Sequence, residues 1–177
     1  MSISWRDKHT RRVCLDALLV ALAMLCSYLE TLLPLTAWIP LPGVRLGLAN
    51  LVVTLTLVLL SAADAAAVSA VRILLTGLLF GSATSLWFSM LGGLFAYLML
   101  VLLVRLGRGL SYLGVSVLCA AAHQCGQMLA AATLFGAAPL LSYLPWLLFA
   151  SIGCGAAVGA LLNLLVPRLL PLRGRLL

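Results

Sequence analysis

The chain has 177 residues, of which 64% are hydrophobic and 8% are charged, and its mean hydropathy is +1.22. Soluble domains carry about 25% charged residues, so this composition excludes an ordinary water-soluble protein. The net charge of +7 would suit nucleic acid if the cations formed one surface. They lie instead at the ends of apolar segments, as topology signals of membrane proteins do, and no nucleic-acid partner is expected.

Interruptions by proline, glycine, serine and charged residues divide the chain into six apolar segments. A membrane-crossing helix needs about 20 such residues. The segments are apolar on all faces and lack the period-two alternation of barrel strands. The predicted fold is an all-α integral membrane protein, a compact bundle of six transmembrane helices in a single domain over residues 1–177. The predicted spans are 13–33, 46–60, 64–80, 84–104, 113–135 and 140–166.

Local signals mark several span ends. Segment 34–43 contains three prolines, a tryptophan and a glycine, which predicts a structured loop or re-entrant turn after the first span. Ser61, three residues before Asp64, is typical of a helix start. Pro167 and Pro171 are expected to close the sixth helix.

The basic residues predict the orientation of the bundle. Under six crossings, only Arg45 falls on one side, whereas nine Lys and Arg residues fall on the other. The side with the excess faces the cytoplasm, so both termini are predicted to be cytoplasmic, with short basic tails over about 1–12 and 167–177. The nine residues are Arg6, Lys8, Arg11, Arg12, Arg105, Arg108, Arg168, Arg173 and Arg175.

The five cysteines lie within apolar spans and are interpreted as small packing residues. They form no C-x-x-C pattern, and only two histidines are available as co-ligands, so neither a metal site nor a bound cofactor is expected. The sequence also lacks the G-x-x-x-x-G-K-[ST] phosphate loop, so energy for any transport must come from a partner or a gradient. The cysteines are Cys14, Cys26, Cys119, Cys125 and Cys154.

Arg72 lies near the middle of the third span, where a charged side chain costs about 2.5–3.5 kcal/mol. Asp64 is about 12 Å away along the same helix, too far to pair with it. Two interpretations stay open, namely a structural ion pair with Asp16 or Glu30, and a cation that binds an anionic ligand in a cavity. Thr76 shares the face of Arg72 and would add a second donor.

Other polar residues are predicted to converge with Arg72. Asn50 lies on the second span, while His123 and Gln127 share a face of the fifth, with Gln124 pointing away. These residues either hydrogen-bond neighbouring helices or line a polar pocket beneath the loop after the first span.

Near the mouth of that pocket, Arg45 lies at the same level as Glu30. A salt bridge between them that fastens the loop is the structural alternative to a binding role for Arg45.

Small residues form three stripes that allow helices to approach closely. The stripes on the fifth and sixth spans are expected to pack within the molecule, whereas the pair on the first span could meet a partner protein. The stripes are Ala17 and Ala21; Ala122, Gly126 and Ala130; and Ser151, Gly155, Gly159 and Asn163.

Four stretches resemble the bacterial Gx transporter family, whose members are often labelled heptaprenyl diphosphate synthase component I. That family is similar to the S components of energy-coupling-factor transporters, six-helix proteins that bind vitamins and other micronutrients near their outer side, beneath the loop after helix one. The stretches are PGVRLGLANLVVTL (42–55), VRILLTGLLFGS (71–82), SMLGGLFAYLM (89–99) and GVSVLCAAAHQCGQMLAA (114–131).

The resemblance implies a multi-pass transport protein of the bacterial cytoplasmic membrane, in contact with membrane lipid. Its ligand would be small, either cofactor- or vitamin-like or related to isoprenoids or quinones, and contact with Arg72 would require that ligand to be anionic. Ala17 and Ala21 would match the A-x-x-x-A pattern that docks the scaffold subunit, which works with separate ATPases. The predicted ligand-binding residues are Arg45, Asn50, Arg72, Thr76, His123 and Gln127.

The label of the family provides the alternative function. The chain lacks the D-D-x-x-D motifs with which soluble polyprenyl diphosphate synthases hold magnesium-bound diphosphate, so it is not expected to be an enzyme. It would then be a non-catalytic membrane subunit, associated with such a synthase or with a quinone or flavin electron-transfer pathway.

Overall fold

The computed structural model describes residues 5–32, 47–107, 109–136 and 144–173, which form six α-helices followed by a short 3-10 turn. No strand occurs within these ranges, and the predicted all-α bundle of membrane type is confirmed. The helices are α1 (Trp5–Leu32), α2 (Leu48–Leu59), α3 (Ala62–Phe80), α4 (Ala83–Leu106), α5 (Tyr112–Phe135) and α6 (Leu144–Leu169).

Five of the helices are long and apolar enough to cross a membrane, whereas α2 has only 12 residues. At 1.5 Å per residue, α2 is about 18 Å long, shorter than a hydrocarbon core of about 30 Å. Eight of its residues are buried, and it packs against α1, α3 and α6. The second predicted span is therefore a short helix at the centre of the bundle.

Side-chain contacts show that successive helices alternate in direction. The rings of Tyr28 and Phe80, at the ends of α1 and α3, lie 5.4 Å apart. The indole Nε1 of Trp87, near the start of α4, donates a hydrogen bond to Oγ1 of Thr133, near the end of α5 (2.9 Å). The ends of α1, α3 and α5 therefore lie at one end of the bundle, together with the start of α4.

Five exposed arginines lie at the opposite end, which we call the basic end. The charge segregation expected of a membrane protein is thus present in the fold, and the prediction that this end faces the cytoplasm follows the positive-inside rule. Arg45, Arg108 and Arg175 lie outside the described residues. The five are Arg11, Arg12, Arg105, Arg168 and Arg173.

Two helix ends differ from the predicted boundaries. α1 begins at Trp5, so most of the predicted N-terminal tail is helical. α6 continues through Pro167 to Leu169. Proline in a helix removes one hydrogen bond, here to the carbonyl of Asn163.

The glycines of the small-residue stripes on α5 and α6 pack within the molecule, as predicted, whereas Asn163 at the end of the α6 stripe is exposed. A Cβ atom added at Gly126 would lie 2.4 Å from the carbonyl oxygen of Leu91 on α4. A Cβ atom added at Gly155 would lie 2.6 Å from Cα of Val117 on α5, and Gly159 approaches α5 as closely. Only glycine permits these backbone contacts.

An ion pair at the basic end joins α1 to the start of α3. Nη2 of Arg12 lies 2.6 Å from Oδ2 of Asp64, and Nε donates to both carboxylate oxygens. Ser61 caps α3 by accepting from the backbone N–H of Asp64, as predicted, and it also accepts from Arg12. Sequence analysis did not identify Arg12 as the partner of Asp64, which lies 52 residues away.

Replacing Arg12 by methionine is expected to lower the stability of the purified protein by about 1–2 kcal/mol, because a charge-assisted hydrogen bond is lost beside a mostly buried carboxylate. Thermal unfolding in mild detergent measures this change. Arg105→Met removes an exposed cation from the same end of the bundle and serves as the control. Equal shifts for the two variants would contradict a specific contribution from the Arg12–Asp64 pair.

Candidate functional site

A polar cavity lies in the half of the bundle opposite the basic end, and all six helices contribute to its wall. Its volume is about 30 Å³. A water molecule needs about 10–15 Å³ of such space, so the cavity has room for about two waters. The polar residues of its wall are Glu30, Asn50, Arg72, Ser89, His123, Gln124 and Ser151.

Arg72 is the buried cation of this cavity, with 7% of its surface exposed. From α3, its Nη1 donates to Oγ of Ser27 on α1 (3.3 Å), and its Nη2 donates to Oδ1 of Asn50 on α2 (3.4 Å). Both acceptors are neutral, and both distances are longer than the usual 2.7–3.2 Å. The guanidinium group is therefore held at the junction of three helices.

The two carboxylates considered as partners of Arg72 lie at different depths. Asp16 is eleven residues before Ser27 on α1, which places it about 16 Å from the guanidinium contact along the helix. An ion pair between Arg72 and Asp16 is therefore excluded. Glu30 lines the same cavity as Arg72, so charge compensation by Glu30 and binding of a ligand stand as alternatives.

Glu30 also fixes the start of α2. One carboxylate oxygen accepts a hydrogen bond from the backbone N–H of Leu48, the first residue of that helix. An anion at a helix N-terminus is favourable because the first N–H groups lack partners within the helix. Gly47 precedes the helix with φ +82°, which glycine adopts without strain. The proposed partner of Glu30 in a salt bridge, Arg45, lies outside the described residues.

His123 and Gln124 on α5 both line the cavity. Gln124 is 4% exposed, and its Oε1 is buried without a hydrogen-bond partner. The prediction that Gln124 points away was therefore wrong. Consecutive helical residues are only about 100° apart, and a cavity wide enough to contact both α4 and α6 accommodates the two side chains.

Two other predicted site residues, Gln127 and Thr76, are not part of the cavity wall. Gln127 is buried, and together with His123 it packs over Gly92, where an added Cβ atom would lie 3.0 Å from Cγ of Gln127. Thr76 is half-buried, and its hydroxyl has no hydrogen-bond partner. The structure thus brings Asn50, Arg72 and His123 together.

Sequence reasoning missed Ser89, Gln124 and Ser151. Ser151 was identified only as a member of a small-residue stripe, and its place in the cavity wall depends on how α6 packs against α5. Ala17 and Ala21, the predicted docking pair, are exposed on α1.

A buried cation among amide, hydroxyl, imidazole and carboxylate groups, enclosed by apolar helices, defines a helical membrane protein with a polar internal site. The family described as heptaprenyl diphosphate synthase component I matches residues 19–165. The chain therefore belongs to this family, which confirms the resemblance seen in its motifs. No curated protein and no solved structure matches it.

Proposed function

We propose that the chain is a membrane transport protein of S-component type, which binds a small anionic ligand in the cavity around Arg72. The observation that carries the proposal is the burial of this guanidinium group in a polar cavity formed by all six helices. A buried charge in a membrane is costly and commonly marks a substrate or ion site. A carboxylate or phosphate group would accept the charge-assisted hydrogen bonds that arginine forms well.

The cavity must enlarge to hold such a ligand. Sites for small organic ligands have volumes of about 300–1,000 Å³, whereas this cavity has about 30 Å³. Two residues of its wall, Glu30 and Gly47, lie on either side of residues 33–46 in the sequence. In our proposal, the ligand enters on this side, away from the basic end, and leaves toward the cytoplasm when the protein reorients against a scaffold.

The exposed pair Ala17 and Ala21 would dock that scaffold, and separate ATPases would supply the energy. We expect Ala17→Leu together with Ala21→Leu to abolish co-purification with scaffold and ATPase subunits, because bulky side chains prevent close helix approach. Ligand binding should be unchanged. Ala67→Leu, at an exposed alanine on α3, is the matched control. Full retention of the partners by the double variant would contradict docking through this pair.

Ligand extraction tests the binding role. Protein purified in mild detergent is examined by native mass spectrometry, and bound small molecules are identified after denaturation. We expect an anionic compound in the wild type and its loss in Arg72→Ala and His123→Ala. Ser116→Ala changes a buried polar residue outside the cavity wall and should retain the compound. An empty wild-type protein, or retention by both cavity variants, would count against the proposal.

The family description favours a second candidate, a non-catalytic membrane subunit that associates with a soluble prenyl diphosphate synthase. The exposed cations of the basic end would form the contact surface. Under this alternative, Arg105→Glu together with Arg173→Glu abolishes retention of the synthase, and Arg72→Ala has no effect. The opposite pattern supports transport.

A further inference from the structure

Glu30 contributes a carboxylate to the wall of the polar cavity, close to the contacts of the buried cation. On α1, it follows Ser27, an acceptor of Arg72, by three residues, so the two side chains share one side of the helix and differ by about 4.5 Å along its axis. On α2, Glu30 accepts from the backbone N–H of Leu48. Leu48 comes two residues before Asn50, the other acceptor of Arg72. On both helices, the carboxylate is therefore held within about one turn of a contact of the guanidinium group.

The start of α2 supplies a second source of positive potential. Gly47 and Ala49, on either side of Leu48, both line the cavity, so the first turn of this helix faces it. The first N–H groups of a helix carry partial positive charge and bind anions. Glu30 accepts from one of them, which is the interaction that a bound carboxylate or phosphate would make at this place.

Another part of the wall points to a ligand independently. Gln124 on α5 is 4% exposed, and among the described residues its Oε1 has no hydrogen-bond partner. Gln124 lines the same cavity as Glu30. Buried polar atoms in native proteins nearly always have partners, so this acceptor suits a donor group of a bound molecule.

We infer that Glu30 is an internal competitor in the binding site, whose carboxylate occupies the position that the acidic group of a ligand must take. The inference rests on the proposed function and assigns Glu30 a role in ligand selectivity. A simple carboxylate gains no more at the start of α2 than Glu30 does, so it does not displace Glu30. A ligand that also donates a hydrogen bond to Gln124 gains more and binds. Charge compensation of Arg72 by Glu30 and ligand binding are then successive states of one site.

Chemical rescue tests this inference. Glu30→Ala removes the carboxylate together with the carbon next to it, and acetate can replace both. We expect the variant to unfold at a lower temperature than the wild type in mild detergent. Sodium acetate at about ten times its dissociation constant should raise that temperature by about 3–6 °C. Sodium chloride at equal ionic strength should not raise it, and the wild type should not respond to acetate.

Three further variants define the site. Glu30→Ala combined with Arg72→Gln should lose the response to acetate, because the cation that attracts the anion is gone. Asp16→Ala removes a half-buried carboxylate of the same helix outside the cavity wall, and acetate should not stabilise this control. Glu30→Gln keeps the size of the side chain and an acceptor for the N–H of Leu48 but lacks the charge. Acetate should therefore stabilise Glu30→Gln more than the wild type.

Equal stabilisation of Glu30→Ala by acetate and by chloride would overturn the inference, as would an equal response of the wild type to acetate. A response that persists in the double variant with Arg72→Gln would overturn it too. If Glu30→Ala does not fold, a response of Glu30→Gln no larger than that of the wild type has the same meaning.

The fate of the proposed function is decided separately, because ligand extraction examines the wild-type protein. An extracted anionic compound together with failed rescue would overturn the role of Glu30 and leave transport in place. Successful rescue together with an empty wild-type protein would support the anion position at Glu30 and count against transport.

Discussion

Replacing Gly126 by alanine is expected to destabilise the bundle by about 1–3 kcal/mol, the usual cost of overpacking a well-packed interior. The added Cβ atom would lie 2.4 Å from the carbonyl oxygen of Leu91 and 2.8 Å from its carbonyl carbon. Both are backbone atoms, so the strain can be relieved only if α4 moves away from α5. Ser89, which lines the polar cavity, would move with α4.

Thermal unfolding in mild detergent measures the effect, and α6 offers a matched pair of glycines. Gly155→Ala should also destabilise the protein, because its Cβ atom would lie 2.6 Å from Cα of Val117. Gly153, two residues earlier, has no atom within 4 Å of an added Cβ. Gly153→Ala should be neutral or stabilising, since alanine favours a helix by up to about 1 kcal/mol over glycine. Similar unfolding temperatures for all three variants would contradict close backbone packing.

Arg72→Gln is expected to weaken binding of the proposed anionic ligand by about 30-fold or more, because removal of one partner of a buried charged pair costs about 2–5 kcal/mol. Glutamine can still donate a hydrogen bond, so the variant isolates the loss of charge. Arg72→Lys should give an intermediate affinity, since lysine keeps the charge but lacks the planar pair of donors.

Equilibrium binding of the compound identified by extraction measures these affinities. Ser116→Ala should keep the wild-type affinity. The unfolding temperatures of the Arg72 variants must accompany the affinities, because Arg72 also joins α3 to Ser27 and Asn50. Unchanged affinity in Arg72→Gln would show that Glu30 compensates the cation and that the ligand does not contact it.

Helix identity and most helix ends were predictable because they depend on local chemistry. Ser61 and its hydrogen bond with the N–H of Asp64 form a start signal within four residues of sequence. The hydrophobic composition of the predicted spans was enough to show that each is apolar on all faces. Pro167 was misleading because proline removes only the hydrogen bond to the carbonyl four residues earlier, and α6 continues for two more residues, to Leu169.

The composition of the site was harder to predict because it depends on packing between distant segments. Arg72, Asn50 and His123 were identifiable as polar residues in apolar helices, and the fold places them around one cavity. Gln124 was assigned to the wrong face, since sequence periodicity cannot show how wide the cavity is. The partner of Asp64 was missed for the same reason, because Arg12 is far away in the sequence.

The shortness of α2 has a consequence for how the protein is made. A helix about 18 Å long exposes backbone groups inside the bilayer unless neighbours satisfy them. Here Glu30 of α1 accepts from the backbone N–H of Leu48 at one end, while just beyond the other end Arg12 of α1 donates to the side-chain hydroxyl of Ser61 and so ties α1 to the start of α3. The translocon should therefore retain α2 only together with α1 and α3. A released fragment that ends at residue 60 should therefore hold α2 in the membrane less firmly than a fragment that ends at residue 80 and contains all three helices.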